Sequence, residues 1–262
     1  MRHAVSIPPF ADPRALVDMA ILADERGWDA VLFWDHMQWN AALELDVFDP
    51  WSLLSATAAR TERIRLGTCV TPLARRRPHV VAKQLITLDH LSGGRALLGV
   101  GLGEPADADF AALGDTADQI ERAAMLDEGL SVIDGIARGE HLEHDGQYFR
   151  VHARLRPAAV QRPRPPIFVA GVAPHRAPLR RAVRWDGYFP IGTDDLLSPQ
   201  QIADHLGDLE RPPGWELFAA RAEGYEPAAF AGVGVTWLVE GAWPVGDWVP
   251  DLVRRIDAGP PR

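Results

Sequence analysis

The sequence predicts an α/β protein of the (β/α)8 TIM-barrel class, and three observations support this fold class. Short apolar runs alternate with helical stretches along all 262 residues, as expected for βαβ units and a parallel sheet. Eight of these runs have the character of strands, a number that favours a closed barrel over an open doubly wound sheet. The chain length is close to the ~250 residues that such a barrel typically needs. We therefore expect a single domain over residues 1–262.

The predicted strands are short apolar runs that end at proline, glycine or polar residues. They lie near residues 3–7, 30–34, 64–70, 96–101, 167–170, 187–191, 215–218 and 235–239. Helix starts between them support this division of the chain. Asp12-Pro13 and Asp49-Pro50 each place a capping carboxylate before a proline in the first turn. Thr116 with Gln119 predicts a capping box that starts a long helix ending near Arg138.

Two regions interrupt the alternation. Between residues 139 and 166 we expect a hairpin around Asp145-Gly146, followed by a proline-rich crossing. This insertion before the fifth strand is large enough to cover a barrel mouth. Residues 210–226 are too few for a full strand and helix, so the seventh unit is predicted to be truncated.

Composition excludes several classes of function. The net charge of −9 disfavours a nucleic-acid partner, because binding to phosphates needs clustered Lys and Arg. We expect no membrane partner, since no apolar run reaches the ~18 residues that a spanning helix needs. Cys69 is the only cysteine, so no internal disulfide can form and a cytoplasmic location is expected. Lys83 is the only lysine and lies mid-helix by pattern, which disfavours Schiff-base chemistry.

The dense basic run Arg75–Arg77 has two interpretations. A solvated loop is the favoured one, and a clamp for an anionic ligand is the alternative. No metal site is predicted, because His141 and His144 lie in the expected hairpin without a cysteine or a third nearby ligand.

Polar residues at two strand ends are the candidates for catalysis, since the site of such a barrel lies at the C-terminal ends of its strands. His36 follows the second strand beside Asp35, which suggests a proton relay with a carboxylate holding the tautomer. The alternative is a loop histidine bonded to a backbone carbonyl. Glu104 follows Gly-Leu-Gly at the fourth strand, and its alternative is a helix N-terminal charge.

Five sequence stretches resemble the luciferase-like monooxygenase family. They are Phe33–His36 (FWDH), Ile64–Pro72 (IRLGTCVTP), Thr87–Arg95 (TLDHLSGGR), Leu98–Gly103 (LGVGLG) and Arg184–Pro190 (RWDGYFP). The resemblance covers about residues 1–205 and is most specific in the middle of the chain. It implies a luciferase-like TIM barrel that binds reduced FMN or the 5-deazaflavin coenzyme F420 at the C-terminal face of the strands.

Carried over residue by residue, the resemblance to the deazaflavin-dependent branch implies a set of site residues. His36 matches the proton donor and Glu104 a catalytic carboxylate. Cys69-Val70 matches a non-proline cis peptide that supports the coenzyme ring. The full set of implied coenzyme contacts is Asp35, Cys69, Val70, Thr71, Leu102, Gly103, Asp107, Gly171, Val172, Pro174 and His175.

The implied function is hydride transfer between a flavin-type coenzyme and a small organic substrate. The pairing of His36 with Glu104 slightly favours F420 over FMN. An FMNH2-dependent monooxygenase that activates oxygen is the alternative, and a non-catalytic flavin-binding protein is an alternative of another class. The sugar-phosphate dehydrogenases of this branch hold phosphate with lysines, so a phosphorylated sugar is an unexpected substrate here. The family also implies a homodimer.

Overall fold

Parallel strands form a barrel in the computed structural model, which describes residues 1–193 and 195–261. The described strands are β1 (Arg2–Ile7), β2 (Ala30–Phe33), β3 (Arg65–Thr68), β4 (Thr71–Pro72), β5 (Leu98–Gly101), β6 (Leu142–Asp145), β7 (Arg150–Ala153), β8 (Ile167–Val172), β9 (Gly187–Ile191), β10 (Glu216–Ala220) and β11 (Trp237–Gly241). The described α-helices are α1 (Pro13–Glu25), α2 (Pro50–Ala58), α3 (Pro78–Leu91), α4 (Ala106–Asp109), α5 (Gln119–Arg138), α6 (Arg176–Ala182), α7 (Pro199–Leu206), α8 (Pro227–Gly232) and α9 (Trp248–Asp257).

The order of the strands confirms the predicted barrel. Neighbours follow the order β3-β2-β1-β11-β10-β9-β8-β5-β4, and the pairs are parallel. β3 lies within the strand predicted over residues 64–70, and β4 follows just after the end of that prediction, with Cys69 and Val70 between the two. A parallel bridge between Leu66 and Ala96 brings the β3 end of the sheet against the segment before β5. The sheet therefore closes around the eight predicted positions.

Inward-facing side chains fill the barrel interior, so it is a packed core and not a pore. The rings of Phe218 and Trp237 stack with centroids 5.5 Å apart, and Phe168 stacks on Phe218 at 4.2 Å. The guanidinium of Arg2 lies over the Trp237 ring at 4.3 Å and covers the N-terminal end of the interior. The open end of the barrel is therefore the end where the strands terminate.

Two of the three predicted helix starts are confirmed, and the third is wrong. Asp12 accepts a hydrogen bond from the backbone N–H of Arg14 at 2.9 Å, and Asp49 does so from Ser52 at 2.8 Å. The long helix α5 instead has Asp118 as its N-cap, which accepts from the N–H of Glu121. The helix begins two residues later than the Thr116 pattern predicts, because the carboxylate of Asp118 takes the capping position.

The insertion before the fifth barrel strand forms the predicted hairpin but does not cover the mouth. β6 and β7 pair antiparallel, and the Glu128 carboxylate of α5 accepts from the backbone N–H groups of Tyr148 and Phe149 at 2.5–3.2 Å. These bonds hold the hairpin against the middle of α5. The described lining of the cavity at the open end of the barrel includes no residue of the hairpin. The suggested cover is therefore wrong, because Glu128 ties the hairpin to the helical layer.

The seventh strand-and-helix unit is short, as predicted. The seventh unit consists of β10 and the helix α8, which has six residues. In the described part of the chain, no helix combines the length and apolar character needed to cross a membrane.

Candidate active site

His36 and Asp109 form a hydrogen-bonded pair at the open end of the barrel. His36 lies three residues after β2, and Asp109 is the last residue of α4, in the segment that follows β5. The distance between His36 Nδ1 and Asp109 Oδ2 is 2.7 Å. The Asp109 side chain has no exposed surface, whereas the His36 side chain is 15% exposed. The pair thus joins a buried carboxylate to an imidazole that reaches the surface.

Asp109 is held as a carboxylate by its surroundings. Its Oδ1 accepts from the backbone N–H groups of residues 37–39 at 2.8–3.3 Å. Burial alone would raise the pKa of Asp109, but hydrogen bonds from His36 and the N–H of Gln38, together with the charge of Arg75, lower it to about 2. An ionised acceptor at Oδ2 requires that Nδ1 of His36 carry the proton, which leaves Nε2 as the second ring nitrogen available to a ligand.

Asp35 is not the carboxylate that contacts His36, which corrects the sequence interpretation. Its Oδ1 lies 2.9 Å from Nη2 of Arg75 and 2.7 Å from Nη2 of Arg76. Arg75 also reaches Oδ2 of Asp109 at 3.3 Å and therefore links the two carboxylates. The Asp35 side chain is fully buried, and its Oδ2 is without a hydrogen-bond partner among the described residues.

The basic run is consequently not a solvated loop over its whole length. The side chains of Arg75 and Arg76 are 3% and 17% exposed, and both are paired with carboxylates. Arg77 is exposed and immediately precedes α3. The favoured sequence interpretation is wrong for the first two arginines, because the ion pairs with Asp35 and Asp109 draw them inward.

Aromatic rings surround His36. Phe10 stacks on Trp39 with centroids 5.4 Å apart, and the rings of Phe10 and Trp34 each lie 6.0 Å from the imidazole. Trp243, which follows β11, contacts Trp34 at 5.7 Å and is 60% exposed. These rings give the surroundings of the histidine an apolar character.

A cavity of about 390 Å³ opens beside these rings, and we call it the mouth cavity. Its described lining is Ser6, Trp34, Cys69, Phe189, Pro190, Ile191, Gly192, Thr193, Asp195, Leu196, Leu197, Ile202, Ala220, Arg221, Val239, Gly241, Ala242 and Trp243. Most of these side chains are apolar. A concave, mainly apolar pocket with a few polar groups is the usual form of a small-molecule site.

The peptide bond between Cys69 and Val70 is cis, as predicted. Cys69 lines the mouth cavity, and burial raises the pKa of its thiol well above the ordinary value, so the thiol stays protonated. A Cβ at Gly101 would lie 2.8 Å from Cγ2 of Val70, so glycine allows the valine to pack there. The buried Thr71 hydroxyl donates to the hydroxyl of Thr68 at 3.0 Å. Thr71 therefore supports the backbone of this segment from inside.

Glu104 lies in the segment after β5, and its side chain is 64% exposed. Its Oε1 is 3.2 Å from Nη2 of the buried Arg122, and its Oε2 accepts from the backbone N–H of Ala106 at 3.0 Å. The carboxylate thus sits at the start of α4, as the alternative interpretation expected. Among the described residues, no hydrogen bond or ion pair links Glu104 to His36.

The neighbours of Glu104 form a backbone turn held by one arginine. Arg122 of α5 donates to the carbonyl oxygens of Leu102 and Gly103, at 3.2 and 2.5 Å. Gly103 has φ of +80°, a conformation that L side chains rarely adopt. Asp107 is exposed on α4. Leu102 and Gly103 are thus held in place by Arg122, and Asp107 lies on α4 two residues before Asp109.

The last group of predicted contacts lies at the end of β8. Gly171 and Val172 are its final two residues, Pro174 follows a cis peptide bond, and His175 precedes α6. A Cβ at Gly171 would lie 2.0 Å from Cβ of Pro178, so glycine is needed for helix packing. A second cavity of about 450 Å³, the side cavity, is lined by Ala173, Pro174, Gly192, Thr193, Asp195, Leu197, Gln201, Asp204 and His205.

The two cavities adjoin. Gly192, Thr193, Asp195 and Leu197 line both of them. The side cavity also includes Ala173 and Pro174, which follow β8, so it lies next to the mouth cavity on the side of that loop. In the described residues, no group of three or more His, Cys, Asp or Glu side chains is arranged to hold a metal ion.

Comparison with known sequences identifies the family. The family model described as luciferase-like monooxygenase matches residues 1–211. The F420-dependent glucose-6-phosphate dehydrogenase of Nocardia farcinica is 40% identical over 143 residues, which are 53% of this chain and 42% of the relative. The enzyme of the same name from Microbacterium testaceum is 33% identical over 206 residues, or 75% of this chain and 58% of the relative. The matched segments thus span about half of these relatives' length.

Solved structures share the fold. The coenzyme F420-dependent tetrahydromethanopterin reductase of Methanopyrus kandleri superposes with a TM-score of 0.75 at 17% identity and covers 98% of this chain and 96% of its own. The monooxygenase RslO1 of Streptomyces bottropensis gives the same TM-score and coverage at 21% identity. With most of its length matched by the family model and its fold shared along nearly the whole chain, this protein belongs to the luciferase-like monooxygenase family.

Proposed function

We propose that the protein is an oxidoreductase that transfers a hydride between a flavin-type coenzyme, with F420 favoured, and a small organic substrate. The observation that supports this most directly is the hydrogen-bonded pair of His36 and Asp109 at the open end of the barrel, where the imidazole lies 6.0 Å from the ring of Trp34, a residue of the mouth-cavity lining. The names of the curated relatives, which are F420-dependent dehydrogenases, favour the deazaflavin over FMN.

The residues present suit a flat ring with a long substituent. The mouth cavity has a mainly apolar lining, and Cys69, at the cis peptide bond, is part of it. The buried Oδ2 of Asp35 is an acceptor without a partner in the described structure, which suits a donor on a ligand. The side cavity gives room for a substituent beyond the ring. When bound, a deazaflavin supplies a carbon that accepts or releases a hydride.

His36 is proposed to move the proton that accompanies hydride transfer. Oxidation of an alcohol removes a hydride from carbon and a proton from oxygen, and reduction of a carbonyl reverses both transfers. Because Asp109 holds Nδ1–H, Nε2 of His36 can accept the hydroxyl proton in one direction and return it in the other. Asp109 is thereby a positioning residue that fixes the ring orientation and the tautomer.

Glu104 is proposed as a second carboxylate at the same mouth. Its pairing with Arg122 and its exposure leave it able to reach solvent and to exchange protons with it. The proposal that His36 and Glu104 serve one reaction therefore needs a separate variant for each residue.

Steady-state kinetics of His36→Ala and Glu104→Gln, with coenzyme titration alongside, test the proposed function. We expect His36→Ala to lower turnover by about 10²–10⁴-fold, the usual contribution of a general acid or base, while the coenzyme affinity changes little. Glu104→Gln should lower turnover or shift the pH optimum. Near wild-type turnover in both variants would leave the two residues structural, and lost coenzyme binding would make them ligands of the ring.

Two further outcomes of these assays separate the alternatives. Oxygen consumption that depends on FMNH2 would indicate the monooxygenase. Tight coenzyme binding without turnover of any electron acceptor would indicate a non-catalytic flavin-binding protein.

A further inference from the structure

The wall of the mouth cavity opposite Cys69 comes from the end of the chain. Ala220, Arg221 and the stretch from Val239 to Trp243 belong to β10, β11 and the loops after them. The family model matches residues 1–211, so this wall lies outside the matched region. The coenzyme-facing half is therefore shared with the family, while the opposite wall belongs to the part of the chain beyond that match.

Arg221 is the one basic side chain in the described lining of the mouth cavity, and it is paired with a buried carboxylate. Its Nη1 lies 3.1 Å from Oε2 of Glu240, whose residue is 8% exposed. Arg255 binds the other oxygen of Glu240 at 2.5 Å and contacts Asp251 at 2.8 Å. Asp251 also pairs with Arg254, whose side chain is 74% exposed and outside the described lining of the cavity. At the cavity itself, the charge of Arg221 is compensated by the buried carboxylate of Glu240.

An anionic substrate would meet further negative charge. Asp195 lines both cavities, and Asp204 lines the side cavity. Lys83 is the only lysine, and on α3 its Nζ donates to the carbonyl of Arg156 at 2.6 Å. A phosphate group placed at the mouth would have to displace Glu240 from Arg221 and remain beside that buried carboxylate, which like-charge repulsion opposes.

Resting on the proposed function, we infer that the substrate is an uncharged, largely apolar alcohol or carbonyl compound and not a sugar phosphate. Its hydrocarbon part packs on Trp34, Phe189 and Trp243, and its oxygen lies towards His36. In the oxidative direction His36 would accept the O–H proton, and a bound oxidised deazaflavin would supply the hydride acceptor for the C–H hydrogen, which balances the formation of a carbonyl product. Reduction runs through the same two transfers in reverse.

A matched pair of alcohols tests this inference. Benzyl alcohol and 4-(hydroxymethyl)benzoate share the ring and the reacting group and differ by one carboxylate. Binding to the full chain is measured by quenching of tryptophan fluorescence, with and without F420, and glucose 6-phosphate is the third probe. We expect benzyl alcohol to bind at least about tenfold tighter than the benzoate, since a desolvated like charge is costly. Equal or tighter binding of either anion would overturn the inference.

Variants of the charged residues test whether Glu240 causes the preference for benzyl alcohol over the benzoate. Glu240→Gln uncovers the charge of Arg221, so it should strengthen binding of the benzoate about tenfold and leave benzyl alcohol unchanged. Arg221→Gln should leave the preference of the wild type in place, whereas loss of benzoate binding would identify Arg221 as an anion anchor and contradict the inference. Arg254→Gln is the matched control, because this arginine is 74% exposed and pairs with Asp251 outside the mouth cavity.

A variant of the apolar wall completes the design. Trp243→Ala removes an exposed ring and leaves the barrel core intact, and it should weaken benzyl alcohol binding about three- to tenfold. Coenzyme titration of the same samples separates the two proposals. Absence of F420 and FMN binding would contradict the proposed function, while coenzyme binding combined with preference for glucose 6-phosphate would contradict only the choice of substrate.

Discussion

At the scale of single residues, Asp109 determines what His36 can do. The carboxylate is buried, bonded to three backbone N–H groups and linked through Arg75 to Asp35. This arrangement fixes the carboxylate before any ligand arrives. A pre-oriented imidazole with one defined tautomer is what general acid–base catalysis requires.

Replacement of Asp109 by asparagine should impair turnover more than coenzyme binding. Asp109→Asn keeps the volume but removes the charge that requires a proton on Nδ1, so we expect turnover to fall about 10–100-fold. The pH profile should change, and Asp109→Glu should restore part of the activity. Asp115→Asn is the matched control, since Asp115 is exposed. Wild-type turnover and an unchanged pH profile in Asp109→Asn would exclude the positioning role.

The lowered pKa of Asp109 also predicts how stability depends on pH. Its pKa falls from an ordinary 3.8 to about 2 in the folded protein, so its contribution is complete above about pH 4 and is lost as the pH falls towards 2. The wild type should therefore lose more free energy of unfolding than Asp109→Asn over this range. Urea unfolding at pH 5, 4 and 3 measures the difference, and a difference that stays constant with pH would refute the assignment.

The sequence singled out His36 as a candidate catalytic residue but did not identify Asp109 as its hydrogen-bond partner. His36 lies three residues after β2, and a position just after a strand end is a local signal. Asp109 is 73 residues away and lies at the end of a four-residue helix, where nothing distinguishes it from the neighbouring Asp107. Only the closure of the barrel brings the segments after β2 and β5 together, so tertiary contact decides which carboxylate is used.

At the scale of elements, the start of α5 shows why a helix is easier to predict than its first residue. Thr116 with Gln119 and Asp118 with Glu121 are two capping boxes that overlap by two residues. In the structure Asp118 caps the helix, and the Thr116 hydroxyl donates to the Glu121 carboxylate at 2.5 Å. The pattern identified the helix but could not distinguish between the two registers.

Close contact between neighbouring strands explains why residue 99 of β5 is a glycine, and this contact provides a test of the barrel packing. A Cβ at Gly99 would lie 2.1 Å from the carbonyl oxygen of Thr68 and 2.5 Å from Cζ of Phe168. Gly99→Ala must therefore move a backbone or a core ring, and we expect it to destabilise the fold by about 3 kcal/mol or more. Gly232→Ala, on α8, is the control, because a Cβ there would meet no neighbouring atom within 4 Å. Thermal unfolding of both variants is the measurement, and equal melting temperatures would contradict this packing.

At the scale of the whole molecule, the negative net charge of the chain repels the negatively charged substituent of the proposed coenzyme. The chain carries a net charge of −9, and F420 and FMN are both anionic in their substituents. The side cavity is lined by Asp195 and Asp204 and by no Lys or Arg among the described residues. Long-range repulsion is therefore expected during association, even where apolar contacts with the ring favour binding.

Salt should consequently strengthen binding of the coenzyme. The Debye length shortens from about 30 Å at 0.01 M ionic strength to about 8 Å at 0.15 M, which screens the repulsion. Over this range we expect the affinity for F420 to rise several-fold, with a smaller rise for FMN and almost none for riboflavin, which has no phosphate. Asp204→Asn should raise the affinity for F420 at low salt and reduce the salt dependence. Affinity that falls with salt would instead show that basic residues, such as the exposed Arg176 at the start of α6, hold the anionic substituent directly.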